Sequence, residues 1–158
     1  MTERQRQLFP HMPEQLFDSW IAAKFHLNGW PFPTDLSMCR LPFAGYTLGQ
    51  LAGFRRVESV CQLEDIEDLS IATAEAVKKH AADGLPTPAA RISGTKQRFF
   101  DCVAFIHKNG VVPSRLAGER RGGAIQIFDG YHRLAALMHC IVTGVCVPDC
   151  IPLWLAQT

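Results

Sequence analysis

The sequence predicts a mixed α/β chain of the α+β class: a small mixed sheet with packed helices, preceded by an irregular N-terminal helical cap. Three observations lead there. From about Arg56 onward, short runs rich in β-branched residues alternate with longer stretches of helical periodicity. Glycine and proline punctuation falls between those runs, as at Gly84-Leu85-Pro86 and Asn109-Gly110. Residues 1–50, by contrast, are interrupted at Pro10, Pro13, Pro31, Pro33 and Pro42, which leaves room only for short elements.

Within the cap, Glu14 to Phe25 reads as one helix, with Leu16, Phe17, Trp20, Ile21 and Phe25 near one face. Trp30-Pro31-Phe32-Pro33 reads as an extended loop, because each proline excludes helical backbone in the residue before it. Thr47 to Phe54 is a second amphipathic piece. Beyond it, Val57 to Leu63 suggests a strand leading into an acidic segment. Ser70 is expected to cap a helix to Ala82, with Ala72, Ala76, Val77 and His80 on its inner side. Ala89 to Ile92 is a candidate strand. Thr95 is expected to cap a helix to Lys108 with Phe99, Cys102, Val103 and Ile106 facing inward, stopped by Asn109-Gly110. Val111-Val112-Pro113 should begin a strand, Ala124 to Phe128 the next, then a helix from Arg133 to Ile141 and a last strand from Ile151 to Leu155. The expected division is a cap over residues 1–55 and a main domain over 56–158.

Composition narrows the class. With 158 residues, 47% of them hydrophobic and 20% charged, the chain can bury a core and lies far from the signature of disorder. No run approaches the roughly 18 apolar residues a membrane span needs. The polar start, Thr2-Glu3-Arg4-Gln5-Arg6-Gln7, does not resemble a signal peptide, so a cytoplasmic protein without membrane insertion is expected. In that compartment the six cysteines are expected to be reduced. A net charge of +1 does not by itself point to nucleic acid. The charge is segregated, however. Residues 57–90 carry seven acids against two lysines, and residues 91–121 carry seven Lys/Arg against two acids. The pattern reads either as two solvated faces or as a positive rim on an anion site.

That basic segment leads into Ile127-Phe128-Asp129-Gly130-Tyr131-His132-Arg133, where a strand delivers the chain directly into a helix. The first N–H groups of a helix lack internal partners, and its dipole places positive potential there. Gly130 permits a sharp turn and close approach by a ligand, and His132 and Arg133 add donors. A phosphate suits such a place. The bland reading is an Asp-Gly turn with Asp129 as helix cap and a surface arginine.

From residue 56 to 157 the succession of helix, Asn109-Gly110, Pro113, strand, charged turn, strand, glycine turn, alanine-containing helix and strand resembles the ParB/sulfiredoxin superfamily. Gly130, Arg133 and Ala136 stand at the family's signature positions. Phe128-Asp129-Gly130-Tyr131-His132-Arg133 is similar to the sulfiredoxin Phe-Gly-Gly-Cys-His-Arg, in which the His and Arg contact nucleotide phosphates. The resemblance implies nucleotide binding by Gly130, Tyr131, His132 and Arg133, with ATP or CTP as the ligand and Mg²⁺ as a companion. It implies catalytic roles for His132 and Arg133. Tyr131 replaces the redox cysteine, and a phenol of ordinary pKa about 10 cannot act as a thiolate, so sulfinic acid reduction is excluded. Gly118-Glu119-Arg120-Arg121 looks like the Gly-Glu-Arg-Arg box of ParB but falls on the preceding turn; its arginines are carried as phosphate-contact candidates. Among family branches, the single-domain plasmid fertility-inhibition proteins fit best. That implies ATPase and DNase activity, DNA as a partner, and a component of a conjugative type IV secretion machine as the target. Family members that phosphorylate small hydroxy amino acids, and a non-catalytic partner-blocking module, are the alternatives.

Other candidates follow from the residues themselves. Asp129 could bind a metal or polarise a water at the phosphate, a catalytic role set against simple capping. Glu64, Asp65, Glu67 and Asp68 could supply a general base or a Mg²⁺ ligand, against a solvated face. Lys96, at a helix start, is placed for phosphate, although a surface lysine is the common case. His139, Cys140, Cys146 and Cys150 lack zinc spacing, so no metal site is expected.

Overall fold

The computed structural model describes residues 3–23, 25, 35–37, 39, 46–91 and 94–157. The loop expected at Trp30-Pro31-Phe32-Pro33 lies outside the described residues. The chain divides into two compact units, one of residues 1–57 with 154–158, the other of residues 58–153.

In the first unit, α1 (Glu3–Arg6) is followed by α2 (Glu14–Leu16), which continues as a π-helical stretch, Phe17–Ala22. Wide helical winding keeps the expected face intact: Leu16, Phe17, Trp20, Ile21 and Phe25 are all buried. The Arg6 guanidinium lies 5.1 Å from the Phe17 ring and donates to the Met12 carbonyl at 2.9 Å, tying α1 to the start of α2. Helix α3 (Leu48–Gly53) has a reciprocal capping box, in which the Gln50 amide donates to Thr47 Oγ1 and the Thr47 amide to Gln50 Oε1.

The architecture is α+β. Strands β1 (Arg55–Cys61), β2 (Leu116–Arg121), β3 (Ala124–Asp129) and β4 (Ile151–Gln157) form one sheet in the order β1-β4-β2-β3. Strands β2 and β3 make an antiparallel hairpin, with Arg121 opposite Ala124 at its tip and Ala117 opposite Asp129 at its base. The unit boundary runs through β1 after Val57 and through β4 before Trp154.

Helices α4 (Asp68–Asp83), α5 (Thr95–Asn109) and α6 (Tyr131–Val142) pack against one another in the second unit. Phe99 of α5 and His139 of α6 meet edge to face with ring centroids 5.5 Å apart. The core there is drawn from Val77, Phe99, Ile106, Leu116, Ile125, Ile127, Leu134 and Leu137, each at most 3% exposed.

Several expectations are corrected. Residues Pro88–Arg91 form a 3₁₀ turn where a strand from Ala89 was expected, and Thr95 Oγ1 donates to the Ala89 carbonyl at 3.1 Å. Ile92 lies outside the described residues. The segment Val111-Val112-Pro113 is bent, and β2 starts at Leu116. Pro113 has no N–H to give a ladder, and the Arg115 carbonyl is taken by a side chain. Helix α4 begins two residues before Ser70, with Glu67 as its N-cap, and its buried stripe is Ser70, Ala74, Val77 and Ala81. That stripe shares only Val77 with the expected face. Its phase is set by Ser70, whose hydroxyl accepts from the buried Ile127 amide at 2.9 Å and donates to Glu67 Oε1 at 3.1 Å.

The same contacts close the outer edge of β3. The Glu67 amide donates to the Ile125 carbonyl at 3.0 Å, beside an Ile66–Ile125 bridge, and Tyr131 Oη donates to the Ile127 carbonyl at 2.6 Å. A strand edge left open invites pairing with other chains; here α4 and α6 satisfy it with their first residues.

Candidate functional site

At the C-terminal end of β3 the chain turns through Gly130, with φ at +106°, into α6. A Cβ there would collide with Leu116 Cδ2 and come within 3.1 Å of Arg133 Nη2, so position 130 requires glycine on both conformational and steric grounds. Gly130 itself is the N-cap, and no side chain caps the helix. Asp129, one residue earlier, was weighed as that cap. Its carboxylate turns instead to Arg133, whose Nη2 donates to Oδ2 at 2.5 Å.

Arg133 is the centre of the site. Besides Asp129, its Nη1 donates to the Arg115 carbonyl at 2.8 Å and to Ser114 Oγ. The guanidinium therefore ties the end of β3 to the segment entering β2, two places that the hairpin register already brings side by side. The ion pair is well enclosed, with the Arg133 and Asp129 side chains 12% and 19% exposed. Ser114 and the Arg115 carbonyl were not legible as site groups. Nor was the Asp129–Arg133 pair, since the sequence offers Asp129 as a helix cap or metal ligand and Arg133 as a phosphate contact or surface arginine.

Tyr131 folds back over the strand through its bond to the Ile127 carbonyl. Burial raises its pKa above the ordinary value; the Ser70 hydroxyl opposes that shift, and the nearby Glu67 and Asp129 carboxylates add to it. Of the acidic segment, Glu67 is thus the member brought to the motif, through Ser70 and Tyr131. Glu64 and Asp65 lie on a separate 3₁₀ turn, Leu63–Asp65. His132 is half-buried in the first turn of α6.

The remaining candidates lie elsewhere. Arg120 and Arg121 stand at the tip of the hairpin whose base meets the Gly130 turn. Four strand steps of about 3.4 Å separate Arg121 from Ala117, or roughly 14 Å. There Arg120 donates to the Gly123 carbonyl at 2.9 Å, and Arg121 pairs with Glu119, whose side chain is 2% exposed. Lys96 is exposed, one turn before Phe99. Arg120 and Arg121 thus stand about 14 Å along the hairpin from the Gly130 turn.

Among the described residues, no group of three or more His, Cys, Asp or Glu is arranged to hold a metal ion. Nor is any described helix long and apolar enough to cross a membrane. Comparison with known proteins gives no match to a family model, a curated protein or a solved structure. Fold and site together define an α+β protein with a glycine-started, arginine-braced helix N-terminus at the base of a β-hairpin.

Proposed function

We propose that the N-terminal end of α6 binds the phosphate of a nucleotide, ATP or CTP with Mg²⁺, in a protein of the ParB/sulfiredoxin type. The observation that carries this reading is the absence of any side-chain cap on α6, with an arginine guanidinium held directly beside Gly130. Helix amides, the dipole and Arg133 then act on one anion. The Asp129 carboxylate already occupies Arg133, so phosphate binds by exchange: Arg133 swings from Asp129 to the incoming oxygen, and His132 donates from the same turn. Asp129, once released, is available to orient a water or a Mg²⁺ ion, which is the role it takes in hydrolysis.

The biological reading rests on the resemblance alone. On that footing the protein is an ATP-hydrolysing inhibitor of plasmid conjugative transfer, similar to the fertility-inhibition protein Osa. It acts on a component of a type IV secretion machine, with DNA as a second substrate. Transfer of phosphate to a small amino acid is the alternative chemistry. The closed Arg133–Asp129 pair favours a second reading, in which the turn is structural and the fold serves as a non-catalytic, partner-blocking module.

Calorimetric titration with ATP and CTP in the presence of Mg²⁺ separates these readings. Under the exchange mechanism, Asp129→Asn binds nucleotide more tightly than the wild type but releases less phosphate, and His132→Ala binds more weakly. If neither the wild type nor Asp129→Asn takes up either nucleotide, the phosphate reading falls and the structural one stands. Labelled phosphate appearing on an added amino acid would favour the kinase.

A further inference from the structure

The second unit contains a cleft of about 500 Å³ at the opposite end of α6 from Gly130. Buried Leu137 of α6 and Ile151 of β4 line it together with the more exposed Ile141, Leu63 and a wall from Val145 to Asp149. The volume falls within the range of small-molecule sites. Leu137, Ile141 and Ile151 give the cleft an apolar patch within a lining of mixed polarity, and among the described lining residues the side chains that bear formal charge are the carboxylates of Glu64 and Asp149. The C-terminal end of α6 lies alongside, where the helix dipole places negative potential. The wall is also anchored, because the Val145 amide donates to the Cys140 carbonyl at 2.9 Å and Gly144 takes the left-handed turn that ends the helix.

We infer that this cleft binds a small organic cation, an amine carried on an apolar body. The apolar part lies over Leu137, Ile141 and Ile151, and the ammonium group meets Glu64 and Asp149 at the rim. A carboxylate of the same shape binds more weakly, because it would face two acids and a helix C-terminus. The inference is independent of the phosphate reading: it concerns the other end of α6 and shares no residue with it.

Three probes of one shape and different charge test it: 2-phenylethylamine, 2-phenylethanol and 3-phenylpropanoate, titrated into the ¹⁵N-labelled full chain. The amine should bind saturably and most tightly, the propanoate most weakly, with amide shifts centred on Leu63 and residues 145–151. Two surface-type ion pairs predict that Glu64→Gln with Asp149→Asn weakens the amine roughly two- to thirtyfold while leaving the alcohol unchanged. Ile141→Trp, which fills the cleft, should abolish binding of all three. Ile141 is 44% exposed, so the fold tolerates the change, and the dispersion of the spectrum verifies this. Equal affinity for the three probes, shifts centred elsewhere, or amine binding that survives Ile141→Trp would each overturn the inference.

Discussion

Replacing Arg133 by alanine removes three bonds at once: to Asp129 Oδ2, to the Arg115 carbonyl and to Ser114 Oγ. It also leaves the Asp129 carboxylate, only 19% exposed, without its cation. A hydrogen bond to a charged group contributes about 1.5–3 kcal/mol, and breaking a fully buried pair by removing one partner costs about 3–5 kcal/mol. Partial exposure of both side chains lowers the second figure, so the expected loss is about 2–4 kcal/mol. For a chain of this size that is a fall in Tm of roughly 4–16 °C. Urea unfolding followed by circular dichroism measures it, and an unchanged slope shows that the denatured state is not involved. Lysine at position 133 keeps the charge but cannot fork to three acceptors, so Arg133→Lys should recover only part of the loss. A double-mutant cycle with Asp129→Asn isolates the ion pair. A loss under about 0.5 kcal/mol, the value for an ordinary surface arginine, would refute the brace, as would zero coupling in the cycle.

Gly130→Ala combines a left-handed φ with a clash against Leu116, and thermal melts should show about 2–4 kcal/mol of destabilisation. Ser70→Ala orphans the buried Ile127 amide and should cost about 1–3 kcal/mol in urea, whereas Thr73→Ala on the exposed side of α4 should change little. The Tyr131 pKa is raised in the folded state, so its contribution to stability is complete below the ordinary tyrosine pKa and is lost as pH rises through the folded value. The difference between ultraviolet titrations of the wild type and Tyr131→Phe isolates this phenol, which should ionise above the ordinary tyrosine pKa; a difference transition at or below that value would contradict this. Arg56 is 7% exposed, its pKa is pushed down to about 10 by burial, and its Nη2 has no hydrogen-bond partner among the described residues. Arg56→Met should accordingly be neutral or stabilising by up to about 4 kcal/mol in the same urea assay, and a marked loss would show that the buried charge is compensated.

What the sequence determined by itself was local. The Asn109-Gly110 stop, the α3 piece after Thr47, the apolar face from Leu16 to Phe25 and the strand-to-helix turn at Gly130 depend on short-range rules: left-handed glycines, capping hydroxyls and helical spacing. Each involves residues a few positions apart, so its signal survives without the fold. Where the reading failed, a distant partner decided. The inner face of α4 was set by Ser70 reaching Ile127, the Pro88–Arg91 turn is met by Thr95, and β2 began late beside the carbonyl held by Arg133. The same holds for the site. Sequence could place Asp129 and Arg133 one helical turn apart, but only the hairpin register brought Ser114 and Arg115 to that arginine. That register also carried Arg120 and Arg121 to the hairpin's other end, because a strand separates its two ends by its whole length however close they stand in sequence.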